Sequence, residues 1–380
     1  MVNNYYTLRA LVHEWADDLV GCTVVDAYSQ VKNELTLALD GPTKAWTLRC
    51  SVQRPLLYLF RSEGIHKARR NVATLFRDAF GSTVTDVDIA FRDRLITPAL
   101  GDGSRFVWQL FGARANVFWI RPEGSIGEAF RNDDRYAGDD APTPRAAPMP
   151  DTFADFEDRW RTNRNKTRQA VQSAMALFGR DLARETIHRA GVTTTSPEDC
   201  TTAERRALFD AAQSIRAALQ DPSPVVYGAG EFPDAFALLP LTLRDGEPAE
   251  PFDTVGAAVR VYVRRALAEA HYHRLYDPLE EALADAAEHA QRSAERMMEE
   301  LSRESRADRY ERWGHLLMAQ PDDVPTGAEE VTLPDLFDEG ASVTIPLDPA
   351  KSAIQNAEHY YDRARQLPAT QDQPAQPEHR

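Results

Sequence analysis

The strongest constraint in this 380-residue sequence is an apolar stripe in its C-terminal third. Apolar residues recur there at steps of 4, 3, 4, 4, 3 and 4, namely Leu279, Leu283, Ala286, Ala290, Ala294, Met297 and Leu301. This is the rhythm of a coiled-coil helix with one irregular step. Extended to Ala319, the helix would be roughly 60 Å long at 1.5 Å per residue. So slender a helix cannot bury its stripe alone and needs a second helix.

The one candidate for a returning helix is Ser352–Gln366, which would be about 22 Å long. The Pro- and Gln-rich tail 367–380 that follows it is expected to be disordered. The two helices would therefore form an incomplete antiparallel arm. Either a second polypeptide completes it, or the sequence is the front part of a longer architecture.

Residues 1–131 predict a β-rich domain behind one helix. Leu8, Leu11, Trp15 and Leu19 recur at helical spacing and stop before Gly21. A short helix is predicted at Val72–Phe80. Strand patterns cover Cys22–Tyr28, Leu35–Leu39, Trp46–Ser51, Leu56–Phe60, Val84–Phe91, Leu95–Leu100, Arg105–Phe111 and Asn116–Arg121. Many short strands with few helices favour a sandwich or small barrel over a parallel βαβ sheet.

The rest of the chain divides by composition. Residues 132–150 contain four prolines and predict a linker or a long exposed loop. We expect a helical module over 151–222 and a β-containing insert over 223–262. The remaining segments are a first coiled-coil helix over 263–319, a small arm-associated segment over 320–351, the start of a second helix over 352–366, and the tail.

Charge argues against indiscriminate binding to nucleic acid, because the net charge is −15. One window reverses the sign. Residues 157–168, predicted as part of a helix over 156–168, carry five basic and two acidic residues, a net charge of +3. Its basic residues are Arg159, Arg161, Arg164, Lys166 and Arg168. The window is either a solvated helix face or the electrostatic footprint of a nucleic-acid site.

Two further patterns leave alternatives open. Gly179 separates two amphipathic segments, the second carrying Arg180 and Arg184, and the pattern fits a helix-hairpin-helix that receives a phosphate, or ordinary helix packing. Asp93-Arg94 sits inside a strand-like stretch, Phe91–Ile96, and is either an exposed charge pair at a strand edge or a functional pair.

Signatures of cofactor or metal chemistry are weak. The sequence has no Walker-type phosphate loop and no dinucleotide fingerprint after a strand. His271 and His273 are two apart on a predicted helix, where their side chains point away from each other, so a solvated pair is favoured over a metal site. Cys22, Cys50 and Cys200 are too far apart to indicate a disulfide framework or a Cys-only metal site. We expect neither cofactor nor metal.

Five motifs in order resemble the NFACT family, which includes bacterial RqcH, also called fibronectin-binding protein A, and eukaryotic NEMF. The Ile345-Pro-Leu-Asp-Pro349 stretch with its continuation to Tyr361 is similar to that family's most distinctive signature. The other four motifs are Asp93-Arg94, Gly112–Val117, which contains Arg114 and Asn116, Leu182–Gly191, and Trp313–Ala319.

The resemblance implies an α+β fold in three parts. These are an N-terminal domain like that of formamidopyrimidine-type DNA glycosylases, a helix-hairpin-helix module, and the start of a long antiparallel coiled-coil arm. The family's C-terminal RNA-binding module would follow the second arm helix, and this chain stops before it.

The resemblance also implies a function. RqcH-type proteins bind a large ribosomal subunit obstructed by peptidyl-tRNA and recruit tRNA for untemplated tailing of the nascent chain. Partners would be that subunit, tRNA and, for the missing module, a separate polypeptide. The residues expected to contact nucleic acid are Asp93, Arg94, Arg114, Asn116, Arg161, Arg164, Lys166, Arg168, Gly179, Arg180 and Arg184.

Departures from the related glycosylases argue against an enzyme. Their nucleophile is an N-terminal proline, whereas position 2 here is Val2, so no secondary amine is available to form the imine. Two alternatives to the ribosomal function remain: a non-catalytic adaptor that kept the fold without handling tRNA, and an adhesin. The sequence has no apolar run of membrane-spanning length and no signal-peptide pattern at its start, which favours a cytoplasmic protein and disfavours the adhesin.

Overall fold

The computed structural model describes residues 2–65, 67, 72–228, 232–302, 306–338 and 340–366. The chain divides into two compact units, one ending at Arg274 and the other beginning at Leu275. The predicted disordered tail, 367–380, lies outside the described residues, as does the junction 303–305 within the predicted first arm helix. None of the helices in the described ranges is both long and apolar enough to cross a membrane.

The first unit opens with helix α1, Tyr5–Leu19. The Asn4 side chain caps it by accepting a hydrogen bond from the N–H of Tyr6. Leu8, Leu11, Trp15 and Leu19 are all buried, so the predicted helical stripe is confirmed as the face that packs on the core.

Two antiparallel sheets follow α1. The first, in the order β4-β3-β2-β1-β5, comprises β1 Thr23–Ser29, β2 Glu34–Asp40, β3 Ala45–Ser51, β4 Tyr58–Glu63 and β5 Ala73–Thr74. The second, in the order β10-β9-β8-β7-β6, comprises β6 Val84–Ile89, β7 Leu95–Leu100, β8 Arg105–Gln109, β9 Asn116–Ile120 and β10 Ile126–Ala129. Both sheets contribute buried side chains to one core, and Phe76 and Phe106 meet in it edge to face. The expected antiparallel β-rich domain is confirmed.

The short helix predicted at Val72–Phe80 is wrong. This segment forms β5, which pairs with β1, and a single 3-10 turn at Arg77–Ala79. Between them Phe76 adopts a left-handed conformation with φ 52°, and its N–H donates to the Glu128 carboxylate at 2.7 Å. A contact from a distant strand therefore overrides the local helical pattern.

A short helix, α2 Asp133–Tyr136, precedes the helical module. The module comprises α3 Phe153–Arg159, α4 Thr167–Ala174, α5 Arg180–Arg189 and α6 Thr202–Ala218. The single helix predicted across 156–168 is wrong, because residues 160–166 form a loop. The chain leaves α3 at Trp160, whose buried indole N–H donates to the carbonyl of Pro197 at 3.1 Å. It re-enters a helix at Thr167, whose hydroxyl and N–H bond to the carbonyls of Thr194 and Thr195.

The segment expected to be a linker or exposed loop is held against the unit. After α2, residues 141–150 have no regular secondary structure, and we call them the connector. Met149 and Pro150 are buried, and the Pro150 carbonyl accepts hydrogen bonds from Gln213 and Arg216. The proline-rich composition correctly indicated irregular backbone but not its docking.

The insert predicted at 223–262 forms a small sheet of β11 Val225–Tyr227, β12 Ala235–Ala237 and β13 Ala249–Pro251, with β11 in the middle. It ends earlier than expected, because helix α7 spans Val255–Ser302. The carboxylate of Glu14 on α1 accepts the N–H groups of Val255 and Gly256 at 2.6 and 2.8 Å. A side chain from the start of the sequence thus satisfies two N–H groups that the first turn of a helix leaves free.

The second unit contains the distal part of α7, helix α8 Arg306–Ala319, strands β14 Glu330–Pro334 and β15 Ser342–Pro346, and helix α9 Ala353–Gln366. The returning helix α9 packs on α8, around Leu317, Ala357 and Tyr360. The stripe on α7 is solvent-exposed, with Leu279, Leu283 and Met297 retaining 59%, 70% and 58% of their accessible surface. The predicted return helix exists, and its partner is α8.

We expect Glu14→Ala to lower the free energy of unfolding of the first unit by about 1–2 kcal/mol, because α7 loses both acceptors at its N-terminus. Chemical denaturation measures the loss, and hydrogen exchange should be faster at the amides of Val255 and Gly256. Asp17→Ala is the control, since Asp17 is an exposed acid on the same helix. Equal exchange in the two variants would contradict the capping role.

Gly314→Ala should destabilise the α8–α9 pair by about 1–3 kcal/mol, although alanine favours helices. A Cβ at this position would lie 2.9 Å from the Tyr361 ring, well inside van der Waals contact. Hydrogen exchange along α8 and α9 measures the effect. Adding Tyr361→Leu should restore protection to the level of Tyr361→Leu alone, and stronger protection in Gly314→Ala would show that the ring moves aside freely.

Candidate nucleic-acid interface

A cavity of about 630 Å³ brings together segments of the first unit that are far apart in sequence. We call it pocket A. Its walls come from the β6–β7 turn, the end of β8 with Arg114, the connector, and the α4–α5 loop that ends at Gly179. Asn4 and Tyr5 of α1 close one side. Asp93, Arg94, Arg114 and Gly179, singled out from the sequence, all line it.

The β6–β7 turn presents three consecutive charged residues, Arg92, Asp93 and Arg94, to pocket A. Arg92 has φ 55°, a left-handed conformation that a residue with a Cβ adopts only at some cost. The N–H of Asp93 closes the turn by donating to the carbonyl of Ala90 at 3.0 Å. The tight turn fixes the directions in which the three side chains leave the backbone.

The Asp93 carboxylate binds backbone. One oxygen accepts the N–H of Arg94 and the other accepts the N–H of Arg145 in the connector, both at 2.7 Å. A third bond runs beside them, from the N–H of Ala147 to the carbonyl of Arg92, at 2.9 Å. Asp93 therefore ties the connector to the turn, and we call this pair of hydrogen bonds the Asp93 clamp.

Arg94 lies over an aromatic wall. Its guanidinium carbon is 5.2 Å from the centroid of the Phe111 ring, and Nη1 donates to the carbonyl of Asn3 at 3.4 Å. Burial lowers the pKa of Arg94, and the nearby charge of Asp93 opposes that shift. The guanidinium stays charged, because an arginine is not deprotonated in a protein at neutral pH. A cation on an aromatic face suits both phosphate and stacked bases.

Arg92 and Arg145 complete the basic lining, and sequence analysis missed both. Arg145 lies in the stretch interpreted as a linker, so no periodic pattern identified it. Asp139 and Asp140 also line the pocket and are exposed. Four arginines and three aspartates thus face one cavity, with one of those aspartates engaged by backbone N–H groups.

Asn116 is not part of this surface. It is buried, its amide donates to the carbonyl of Arg131, and its oxygen accepts the N–H groups of Val117 and Arg131. The side chain therefore fastens β9 to the segment after β10. Arg180 and Arg184 are exposed on α5, next to Gly179. Gly179 caps α5 with an ordinary extended conformation, φ −70°, so the α4–α5 turn does not depend on left-handed glycine geometry.

The basic window forms a second concavity, pocket B, of about 610 Å³. Arg159, Arg161 and Arg164 line it. Lys166 is exposed just before α4, and Arg168 bonds to Gln172. The two pockets are neighbours, because Ala176 lines both and the connector contributes Ala147 to pocket A and Pro148 to pocket B.

No cluster of three or more His, Cys, Asp or Glu side chains that could hold a metal ion occurs within the described ranges. His271 and His273 lie on α7. All three cysteines are buried free thiols. The groups that line pocket A include guanidinium and aromatic side chains, which bind anions and planar rings.

Releasing the clamp should expose the connector. We expect trypsin to cut after Arg145 about tenfold faster in Asp93→Ala than in the unchanged protein, because two hydrogen bonds to a charged acceptor are lost. Asp93→Asn should behave similarly, since its amide NH₂ would face an N–H donor. Asp88→Ala removes an exposed acid from the same hairpin and serves as the control. Equal cleavage rates would mean that Met149 and Pro150 alone hold the segment.

Comparison with known proteins shows which solved structures and which family the chain resembles. The crystal structure of a fibrinogen-binding protein from Staphylococcus aureus is 12% identical, with 68% of this chain and 97% of that chain covered and a TM-score of 0.55, and it shows the fold alone. The N-terminal part of a fibronectin/fibrinogen-binding protein from Streptococcus suis is 13% identical, with 69% and 98% covered and a TM-score of 0.48. No curated protein matches the sequence significantly.

The family profile described as NFACT N-terminal and middle domains matches residues 4–375, nearly the whole chain. The sequence motifs, the antiparallel β-rich domain with its helical module, and this match agree. The chain belongs to the NFACT family.

Proposed function

We propose that this chain is an RqcH-like quality-control factor that binds tRNA and the obstructed large ribosomal subunit carrying peptidyl-tRNA. The observation that carries the proposal is pocket A, where four arginines converge in a chain of net charge −15. Four arginines against three aspartates leave this lining net positive within an acidic chain, and a positive concavity attracts nucleic-acid backbone. The same role would place the protein in the cytoplasm, where ribosomes are.

Aromatic groups in the same cavity support RNA over a simple polyanion. Phe111 lies beneath Arg94, and Tyr5 and Tyr136 also line pocket A. Stacking of unpaired bases on aromatic rings and guanidinium planes is the usual way in which proteins hold single-stranded RNA. The volume of about 630 Å³ is within the range of pockets that hold a small molecule, and a nucleotide is of that size.

We further propose binding without bond-breaking chemistry. The side chain of Val2, at the position of the glycosylase nucleophile, is buried in the core of the first unit. Borohydride trapping on abasic-site DNA should then give no covalent adduct, and a clear adduct would refute this part of the proposal.

The adaptor alternative has one observation in its favour. The exposed leucine and methionine stripe on α7 is the kind of surface that a protein partner covers, and a second polypeptide would fit it. The names of the two similar structures suggest fibrinogen or fibronectin as another partner, but at 12% and 13% identity the likeness does not transfer binding. Sequencing of RNA that co-purifies with the protein from its host separates the tRNA-binding role from both alternatives.

Arg94→Gln and Arg114→Gln should each raise the Kd for tRNA about tenfold or more, because each removes a charge-assisted contact worth about 1.5–3 kcal/mol. Fluorescence anisotropy with labelled tRNA measures the change at fixed salt. Arg77→Gln is the matched control, since Arg77 is exposed in the same domain and outside both pockets. If all three variants bind like the unchanged protein, pocket A does not hold tRNA.

A further inference from the structure

We infer that pocket B is a phosphate subsite, and that it takes backbone phosphates of the same RNA strand that enters pocket A. The inference rests on the proposed function for the identity of the ligand, RNA. The preference of pocket B for phosphate rests separately on the contacts of its own side chains. Pocket B lies where α3 ends, where the loop 160–166 crosses to α4, and where Pro148 of the connector forms the edge.

Three guanidinium groups supply the charge of pocket B. Arg161 is held by the backbone carbonyl of Asp158 at 2.9 Å, so its charge is not neutralised by that contact. Arg164 donates through Nε to the Ser173 hydroxyl at 3.2 Å. The Nε of Arg159 is buried and has no hydrogen-bond partner. A buried donor without an acceptor is unfavourable, and an oxyanion in the pocket would relieve it.

The uncharged polar groups of pocket B are also arranged as donors. The Gln169 side-chain oxygen accepts the N–H of Asn165 at 3.2 Å, and the Gln172 oxygen accepts from Arg168 at 2.6 Å. Each carboxamide therefore keeps its NH₂ group for a ligand. The Ser173 hydroxyl donates to the carbonyl of Gln169 and accepts from Arg164, so it offers a ligand no further proton.

The two acids of the basic window, Glu157 and Asp158, do not line pocket B. None of the side chains that line pocket B is acidic. Glu157 is paired with Arg205 at 3.0 Å, so its charge is already compensated by an arginine outside the pocket. Five donor side chains and no carboxylate thus face one concavity, which selects a phosphate or sulfate group over a cation or a neutral ligand.

The position of pocket B identifies the source of the phosphate. Pockets A and B share Ala176, and adjacent connector residues, Ala147 and Pro148, border one pocket each. A strand with a nucleotide in pocket A can therefore place a neighbouring phosphate in pocket B without crossing to another face. The Asp93 clamp acts on both pockets, because it fixes the connector that borders them.

Two measurements on the full chain test the inference. In the first, ¹⁵N–¹H spectra of arginine side chains are recorded during titration with inorganic phosphate, and the Nε–H signals of Arg159, Arg161 and Arg164 should shift. In the second, the salt dependence of tRNA binding is compared between the double variant Arg161→Gln/Arg164→Gln and the unchanged protein. The slope of log K against log salt should fall by roughly two.

The matched control is Arg77→Gln/Arg260→Gln, which removes two exposed arginines of the same unit outside both pockets and should leave the slope unchanged. An unchanged slope in the pocket B variant, while Arg94→Gln still weakens binding, would overturn the inference and leave the proposed function standing. Shifts with inorganic phosphate but no change of slope would also overturn it, since the pocket would then hold free phosphate only. If neither Arg94→Gln nor the pocket B double variant weakens tRNA binding, both the inference and the proposed function are refuted.

Discussion

The first unit depends on one recurring interaction, a carboxylate that accepts backbone N–H groups from a segment far away in sequence. Glu14 accepts two at the start of α7, Asp93 accepts one from the connector, and Glu185 accepts those of Thr242 and Leu243. Glu185 is fully buried. Burial raises its pKa, but bonds from Thr242, Arg189 and Leu243 more than compensate and hold the pKa below its usual value. Each bond gives a backbone N–H outside regular secondary structure, or at a helix start, an acceptor that its own segment does not supply.

These carboxylates give the interface its shape. Asp93 would be interpreted from sequence as a charge facing a ligand, yet both of its oxygens are engaged by the backbone. Asp93 keeps the connector in place as the shared border of pockets A and B. In the RNA-binding role proposed above, Asp93 would act through the position of the connector, without touching RNA.

The helices of the second unit are covered unequally. In the second unit, α8 and α9 approach closely because Gly314 leaves room for the Tyr361 ring, and Tyr360 packs edge to face on Trp313. The stripe of α7 has no such cover within the described residues. At about 25 cal/mol per Å² of apolar surface, a few hundred Å² of exposed stripe corresponds to several kcal/mol in favour of a covering partner.

Sequence by itself determined the buried face of α1 and the family to which the chain belongs. The stripe of α1 and the Ile345–Tyr361 signature could both be found because periodicity and motifs are encoded in residues close together in sequence. Four candidate residues, Asp93, Arg94, Arg114 and Gly179, were placed together in pocket A.

Only the tertiary structure decided how the candidate residues act. The loop at 160–166, the conformation of Phe76, the docked connector and the buried amide of Asn116 are each set by hydrogen bonds to residues distant in sequence. Local periodicity reports the preference of a segment for helix or strand and carries no information about such partners. Arg145 and the two pockets therefore could not be found from the sequence, because they depend on the hydrogen bonds that join the connector to the β6–β7 turn.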